Sequence, residues 1–345
     1  MKQKLIEMTH HRSPVAGLEL SALAASIRPS RGLLIGAGTA AVLAGCAVFN
    51  RVSARRAEAK NPPAGKFVEV DGVRLHYVDR GVGSAVVLLH GNGVMLQDFE
   101  VSGVLDLAAE HHRVIAFDRP GFGYSERPRS TVWPPTAQAD LIACALKQIG
   151  VKHAIVVGHS WGTMVALAMA LDNPESVTGL VLLSGYYYGS LRPDVVPASV
   201  PAIPLLGDVV ANTLAPINGR LIAPLALKAA FRPAPISEKF AAFPAAMTLR
   251  PSQVRAAAAD TAMMIPSAME LSGRYAELRL PVIIMAGEGD VIAFAAKHAS
   301  RLAEAISGAE LRVVPEQGHL FHYAVPEQVI EAIRDVGSRT GSEGP

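Results

Sequence analysis

The residues Gly158-His159-Ser160-Trp161-Gly162 place a serine between two glycines, where the apolar run AIVVGH (154–159) gives way to a helical pattern over Gly162 to Leu171. A sharp strand-to-helix turn forces its central residue into strained backbone geometry, and the flanking glycines remove side chains that would obstruct it. The hydroxyl of Ser160 then stands above the sheet edge, facing the free N–H groups of a helix N-terminus. A serine hydroxyl is a weak nucleophile at neutral pH. It needs a neutral imidazole within hydrogen-bond reach, and the imidazole needs a carboxylate that holds its tautomer and stabilises its charged form.

Both partners are expected downstream, each just beyond an apolar strand. His319 sits in Glu316-Gln317-Gly318-His319, after the run LRVVPE (311–316), and is read as the general base. Asp290 sits in Gly287-Glu288-Gly289-Asp290, after PVIIMAG (281–287), and is read as the carboxylate that orients it. His322 and Glu288 stand as the rival base and acid. The order Ser160, Asp290, His319 suits a nucleophile on a strand-to-helix turn with its partners on later loops. Charge developing on a carbonyl oxygen needs preorganised donors. The backbone N–H of Trp161 supplies one, and the loop His90-Gly91-Asn92-Gly93 supplies the other, assigned to Asn92 with Gly91 as the alternative. His90 itself is read as a buried structural residue, and Asp118, which opens a Pro/Gly turn, as a loop-fixing one. The implied chemistry is acyl transfer, which calls for no metal and no organic cofactor.

The elements that must position these residues are legible as brief apolar runs alternating with helical patterns. FVEV (67–70) and VRLHYVD (73–79), joined by Asp71-Gly72, alternate as a hairpin. AVVLLH (85–90), RVIAFD (113–118), AIVVGH, TGLVLLS (178–184), PVIIMAG and LRVVPE are continuous apolar runs, the mark of strands buried on both faces. Helical patterns lie over Thr136 to Ile149, Gly162 to Leu171, Ala293 to Ile306 and Pro326 to Val336. The expected fold class is α/β: a mostly parallel eight-stranded sheet with helices on both faces and an inserted helical cap. The cap is the stretch 186–275, where the alternation stops and a plain loop of about 90 residues would be anomalous. It opens with Tyr186, Tyr187 and Tyr188, suited either to the substrate entrance or to packing between cap and core. The core occupies 66–185 and 276–338, with 50–65 read as a linker and 339–345 as a disordered tail.

At these residues the chain resembles the capped branch of the α/β-hydrolase superfamily. The loop HGNG, the segment FDRPGFGYSERP from Phe117 to Pro128, the elbow GHSWG, then MAGEGD and QGH occur in the family's order. The resemblance implies the α/β-hydrolase fold and the triad, but the superfamily hosts esterases, lipases, peptidases, C–C bond hydrolases, cofactor-free haloperoxidases, epoxide hydrolases and dehalogenases. The last two classes use an aspartate nucleophile where this chain has Ser160. An alkyl-aspartate is an ester that water can cleave, whereas an alkyl-serine would be an ether with no carbonyl to attack. The expectation is therefore a serine hydrolase acting on an ester or related activated carbonyl of a small to medium lipophilic substrate. A C–C bond hydrolase or a haloperoxidase-like perhydrolase on the same triad is the second reading, and a non-catalytic ligand-binding protein on this frame the third.

Composition limits the partners. The 345 residues carry a formal net charge of +2 and are 50% hydrophobic, which points away from nucleic acid. The two cysteines, Cys46 and Cys144, offer neither a disulfide framework nor a zinc cluster. Residues 1–31 form a polar, basic N-terminal segment. The following run Gly32–Phe49 is apolar over about 18 residues and bracketed by arginines, which predicts association with a membrane. An uncleaved transmembrane anchor fits it, as does a lipoprotein signal ending at Leu43-Ala44-Gly45-Cys46, and the length preceding the run favours the anchor. Arginines on both sides leave the orientation open.

Overall fold

A computed structural model of the chain describes residues Ser30 to Gly341. The positions 1–29 and 342–345, with most of the N-terminal segment and the end of the expected tail, lie outside the described residues. Contacts divide the chain into two units that meet between Gly45 and Cys46. The first unit's described part is Ser30 and helix α1 (Arg31–Lys60) up to Gly45; α1 is long and apolar enough to cross a membrane.

The second unit, from Cys46 onward, opens with the rest of α1 and continues into the sheet: β1 (Lys66–Val70), β2 (Val73–Arg80), β3 (Ala85–Leu89), β4 (Arg113–Phe117), β5 (Ala154–His159), β6 (Val177–Leu183), β7 (Val282–Gly287) and β8 (Glu310–Val314). The spatial order is β1-β2-β4-β3-β5-β6-β7-β8. The pairs β1–β2 and β2–β4 are antiparallel, and every other neighbouring pair is parallel. The order reverses around β3, so the loops at the carboxyl ends of the central strands diverge and leave a crevice there.

The continuous apolar runs are explained by two cores, one on each face of the sheet. Val87, Leu89, Ile115, Phe117 and Val156 face α4 (Pro135–Gln148), α5 (Trp161–Asp172) and α11 (Ala295–Ala305). Their neighbours Val86, Leu88, Val114, Ala116 and Val157 face α2 (Gln97–Ser102), α3 (Val104–Ala109) and α12 (Pro326–Gly341). Successive side chains point to opposite faces, so both sets must be apolar. The short helices α2 and α3 are not distinguished by the sequence pattern, because neither is long enough to show a period.

Between β6 and β7 the chain forms the cap, of α6 (Val195–Ser199), α7 (Leu206–Asn212), α8 (Leu214–Phe231), α9 (Ala245–Thr248) and α10 (Pro251–Ser272). Two expectations change. The stretch 50–65 is not a free linker: α1 continues to Lys60, Ala57 is buried against Met95, Phe243 and Met247, and Glu58 pairs with Arg250 at 3.0 Å. The helix is kept regular there by packing that a Pro/Gly-based reading of the following residues could not register. At the other end α12 runs to Gly341, beyond the expected start of the tail at 339.

Candidate active site

The strand β5 ends at His159 and α5 begins at Trp161, so Ser160 occupies the turn alone, with φ of 52°. A non-glycine residue in that region is strained, by roughly 1–3 kcal/mol, and needs surrounding bonds to hold it. Ser160 N–H donates to Leu183 O on β6 at 2.8 Å, while its carbonyl accepts from Thr163 N–H at 3.0 Å and from the Thr163 hydroxyl at 2.6 Å. Gly162 is required by close approach: a Cβ there would lie 2.1 Å from the carbonyl oxygen of Leu89.

His319 and Asp290 converge on this serine. His319 Nε2 lies 2.9 Å from Ser160 Oγ, and its Nδ1 lies 2.8 Å from Asp290 Oδ2. Asp290 accepts at its other oxygen from the N–H groups of Ile292 (2.8 Å) and Ala293 (3.1 Å). Burial alone would raise the Asp290 pKa, but the His319 ring and these two donors outweigh it and hold the carboxyl below its ordinary value. The carboxylate accepts the Nδ1–H, so neutral His319 presents a bare Nε2 to the serine hydroxyl. The His319 loop is set by the cap, since Leu320 N–H donates to Ala230 O at 3.2 Å and a Cβ on Gly318 would lie 2.3 Å from Arg232 O.

The rivals face elsewhere. Glu288 is exposed and accepts from Glu316 N–H at 3.2 Å. His322 is buried against Asp98, with Nε2 at 3.2 Å from Oδ2. As the first residue of α5, Trp161 has a backbone N–H with no acceptor within the helix. The side-chain amide of Asn92 is committed to α10, donating to Ala257 O at 3.1 Å and to Thr261 Oγ1 at 3.0 Å. Any donation by Asn92 to an oxyanion falls to its backbone. At Gly91 the place of the absent Cβ lies 3.1 Å from Ser160 Cβ.

His90 receives Arg119 N–H on Nε2 at 3.0 Å and faces Gly91 O through Nδ1 at 2.7 Å. Burial first, and then Arg119, push its pKa down to about 4, so the ring is a neutral brace. Asp118 accepts from Leu96 N–H (3.0 Å) and Tyr124 N–H (2.9 Å) and meets His76 Nδ1 at 2.7 Å. Tyr186, Tyr187 and Tyr188 are buried and pack against α11, where His298 Nδ1 accepts the N–H groups of Tyr187 and Tyr188 at 3.1 and 3.2 Å.

Two networks near the site escape sequence reasoning. Beneath the triad, Asp98, His159, His322 and Tyr323 form a buried cluster. His159 donates from Nε2 to His319 O at 3.2 Å, and Tyr323 donates to Asp98 Oδ1 at 2.9 Å. The donor atoms of Asp98, His159 and His322 lie within 4.8 Å of one another, close enough to consider for a cation, but Asp98 already accepts from both His322 and Tyr323. Above the site, fully buried Arg119 donates to Asp260 on α10 at 2.7 Å, to Gln138 at 2.9 Å, and to the carbonyls of His90 and Gly91 at 2.8 and 3.0 Å. Trp161 Nε1 donates to Asp260 O at 3.0 Å. These partners come from distant parts of the chain with no local motif to announce them.

A cleft of about 950 Å3 lies between the DRPGFG segment and the cap, lined among others by Arg127, Trp133, Ile203, Asp208 and Arg255, and none of the three convergent residues borders it. Its cations are paired, Arg127 with Asp260, and Arg129 and Arg255 with Asp208.

Comparison with known proteins agrees with this architecture. The dihydrolipoyllysine-residue acetyltransferase component of the acetoin cleaving system of Cupriavidus necator is 36% identical over 125 residues, 36% of this chain and 33% of that protein. The 2-hydroxymuconate semialdehyde hydrolase of Pseudomonas sp. (strain CF600) is 34% identical over 124 residues, 36% of this chain and 44% of that protein. The chain thus spans less than half the length of these curated relatives. Among solved structures, that of Est816, described as an N-acyl homoserine lactone degrading enzyme, aligns with a TM-score of 0.57 and 26% identity over 78% of this chain and 99% of that one. The family described as alpha/beta hydrolase fold matches residues 84–324, from the turn before β3 to the loop after His322, and the chain belongs to it.

Proposed function

We propose that the protein is a serine hydrolase that cleaves an ester or related activated carbonyl of a small to medium lipophilic substrate through an acyl-enzyme. The observation that carries this reading is the line Ser160 Oγ, His319, Asp290, with links of 2.9 and 2.8 Å, on a strained turn at the carboxyl edge of the sheet. Neutral His319 takes the Ser160 proton as Oγ attacks the carbonyl carbon, and Asp290 stabilises the imidazolium that forms. The oxyanion faces the start of α5, with Trp161 N–H as one donor and the Gly91-Asn92 backbone as the second, each worth on the order of 3 kcal/mol. His319 then returns the proton to the leaving group, and the cycle repeats with water on the acyl-enzyme. The low charge of the cap sequence, rich in Pro, Ala, Leu and Val, supports a lipophilic acyl or alcohol part. That Est816 is described as degrading an N-acyl homoserine lactone, whose lactone ring is a cyclic ester, is in keeping with this chemistry.

The test is covalent labelling with a fluorophosphonate. The wild type is expected to react, and Ser160→Ala is expected to lose both label and ester hydrolysis, the latter by on the order of 10^3-fold or more. Labelling that survives Ser160→Ala refutes the assignment. A C–C bond hydrolase on the same residues is the second reading, favoured by the 34% identity to a semialdehyde hydrolase. Vinylogous diketones turned over faster than nitrophenyl esters would select it. We also read α1 as an uncleaved membrane anchor rather than a lipoprotein signal, because the helix continues unbroken through Cys46 to Lys60.

A further inference from the structure

The cap carries an outer surface that does not suit water. Ile203, Pro204, Leu205 and Leu206 are exposed in succession at the start of α7, and Leu221, Ile222, Ala223, Pro224, Leu225 and Ala226 are exposed in succession on α8. Leu205 is 83% exposed, Leu221 77% and Leu225 71%. No charged residue interrupts the second run between Arg220 and Lys228. A surface helix keeps polar residues on its outer face, so a full turn and more of uncovered aliphatic side chains marks contact with another apolar medium.

What that medium is follows from where the apolar run of α1 ends. Asn50 is buried at the corner between α7 and α8, donating from its side chain to Asn212 O at 3.0 Å and to Thr213 O at 2.7 Å. Arg220 of α8 donates to Asn50 Oδ1 at 3.1 Å, and its guanidinium lies 5.1 Å from the centre of the Phe49 ring. Phe49 is the last residue of the apolar run, so wherever that run enters a bilayer, the α7–α8 corner stands at its surface. Arg51, Arg55 and Arg56 follow within two turns, all exposed, at the depth where lipid phosphates would meet them.

We propose that the exposed faces of α7 and α8 rest on an anionic phospholipid bilayer, with Leu205, Leu221, Ile222 and Leu225 in its interfacial layer. The inference rests on reading α1 as a membrane anchor and deepens it: the cap, and not α1 alone, is a membrane-binding element. The helix that touches the bilayer ends against the His319 loop, through Ala230 O and Leu320 N–H. The cap is thereby placed to receive a lipophilic substrate from the lipid phase.

The full chain, with Cys46 and Cys144 replaced by serine, is labelled with an environment-sensitive fluorophore at Leu221→Cys, Val42→Cys or Val82→Cys and reconstituted in phosphatidylcholine–phosphatidylserine vesicles. Val42 lies in the apolar run, and Val82, 83% exposed in the β2–β3 connection, is the aqueous control. Doxyl-labelled lipids are expected to quench positions 42 and 221 several-fold more than 82. Quenching at 42 with none at 221 overturns cap docking and leaves the anchor standing. No quenching at either overturns both. A label at 221 shielded from lipid quencher and from aqueous iodide alike means that protein, such as a second copy, covers the face, and also overturns the proposal. As a second readout, Leu221→Asp with Leu225→Asp should leave hydrolysis of a water-soluble ester unchanged and slow that of a vesicle-dissolved ester about tenfold; equal effects on both would count against it.

Discussion

At the residue scale, the Ser160–His319–Asp290 geometry rests on buried side chains whose protonation the fold holds in place. Asp98, fully buried, shows how. Burial alone would raise its pKa, but His322, with the Tyr323 hydroxyl, outweighs it and brings it from 3.8 down to about 2. A carboxyl depressed on folding contributes stability that is fully present above its unfolded value and lost as pH falls through the folded one. The window here is therefore about pH 4 down to about 2, and the contribution above it is roughly 2 kcal/mol. Asp98→Asn should lower the urea midpoint at neutral pH, and its gap from wild type should narrow as pH drops below about 4. A gap of constant size across that range would show that the charge on Asp98 is not the source. His159 is held neutral by burial first and by His322 and His319 next, its pKa well below the ordinary value, and its Nε2 donates to the His319 carbonyl.

At the scale of elements, cap and core are joined by a buried ion pair and not by apolar packing alone. Arg119, on the loop after β4, and Asp260, on α10, are both fully buried, and Arg127 adds a second bond to the same carboxylate at 2.8 Å. Removing one member strands the other in a low-dielectric interior, which costs about 3–5 kcal/mol. Asp208 makes similar bonds to Arg129 and Arg255, but its side chain is 30% exposed, where pairs are worth about 0–1 kcal/mol. Asp260→Ala should destabilise the protein by about 3 kcal/mol or more and Asp208→Ala by under about 1 kcal/mol, measured by urea denaturation. Equal losses would mean that the latch is not electrostatic. The same latch holds the His90 and Gly91 carbonyls, so it fixes the loop whose backbone faces Ser160.

At the scale of the whole molecule, a unit of the α/β-hydrolase fold follows a helix of 30 residues whose first part is apolar and whose last part is built into the cap and core through Asn50, Ala57 and Glu58. The full chain is expected to sediment with membranes and to resist extraction at alkaline pH. Cys46→Ser should not release it, since insertion of the apolar run and not acylation is the proposed attachment. Release by that substitution would select the lipoprotein reading instead.

The positions of the eight strands, the strand-to-helix turn at Ser160 and the loops bearing Asp290 and His319 could all be read along the chain, because each depends on local patterns. Apolar runs mark strands buried on both faces, and a serine between glycines marks a turn that only small neighbours permit. The tertiary structure alone decided that Asn92 gives its side chain to α10, that His322 belongs to Asp98, that Arg119 and Asp260 close the cap on the core, and that α1 runs on to Lys60. Each of these joins residues separated by tens to hundreds of positions, and a hydrogen bond or a buried charge pair leaves no period or spacing in either partner's own segment. The exposed aliphatic face of α7 and α8 belongs with them: its leucines look like core residues in the sequence, and only the packed fold shows that nothing of the chain covers them among the described residues.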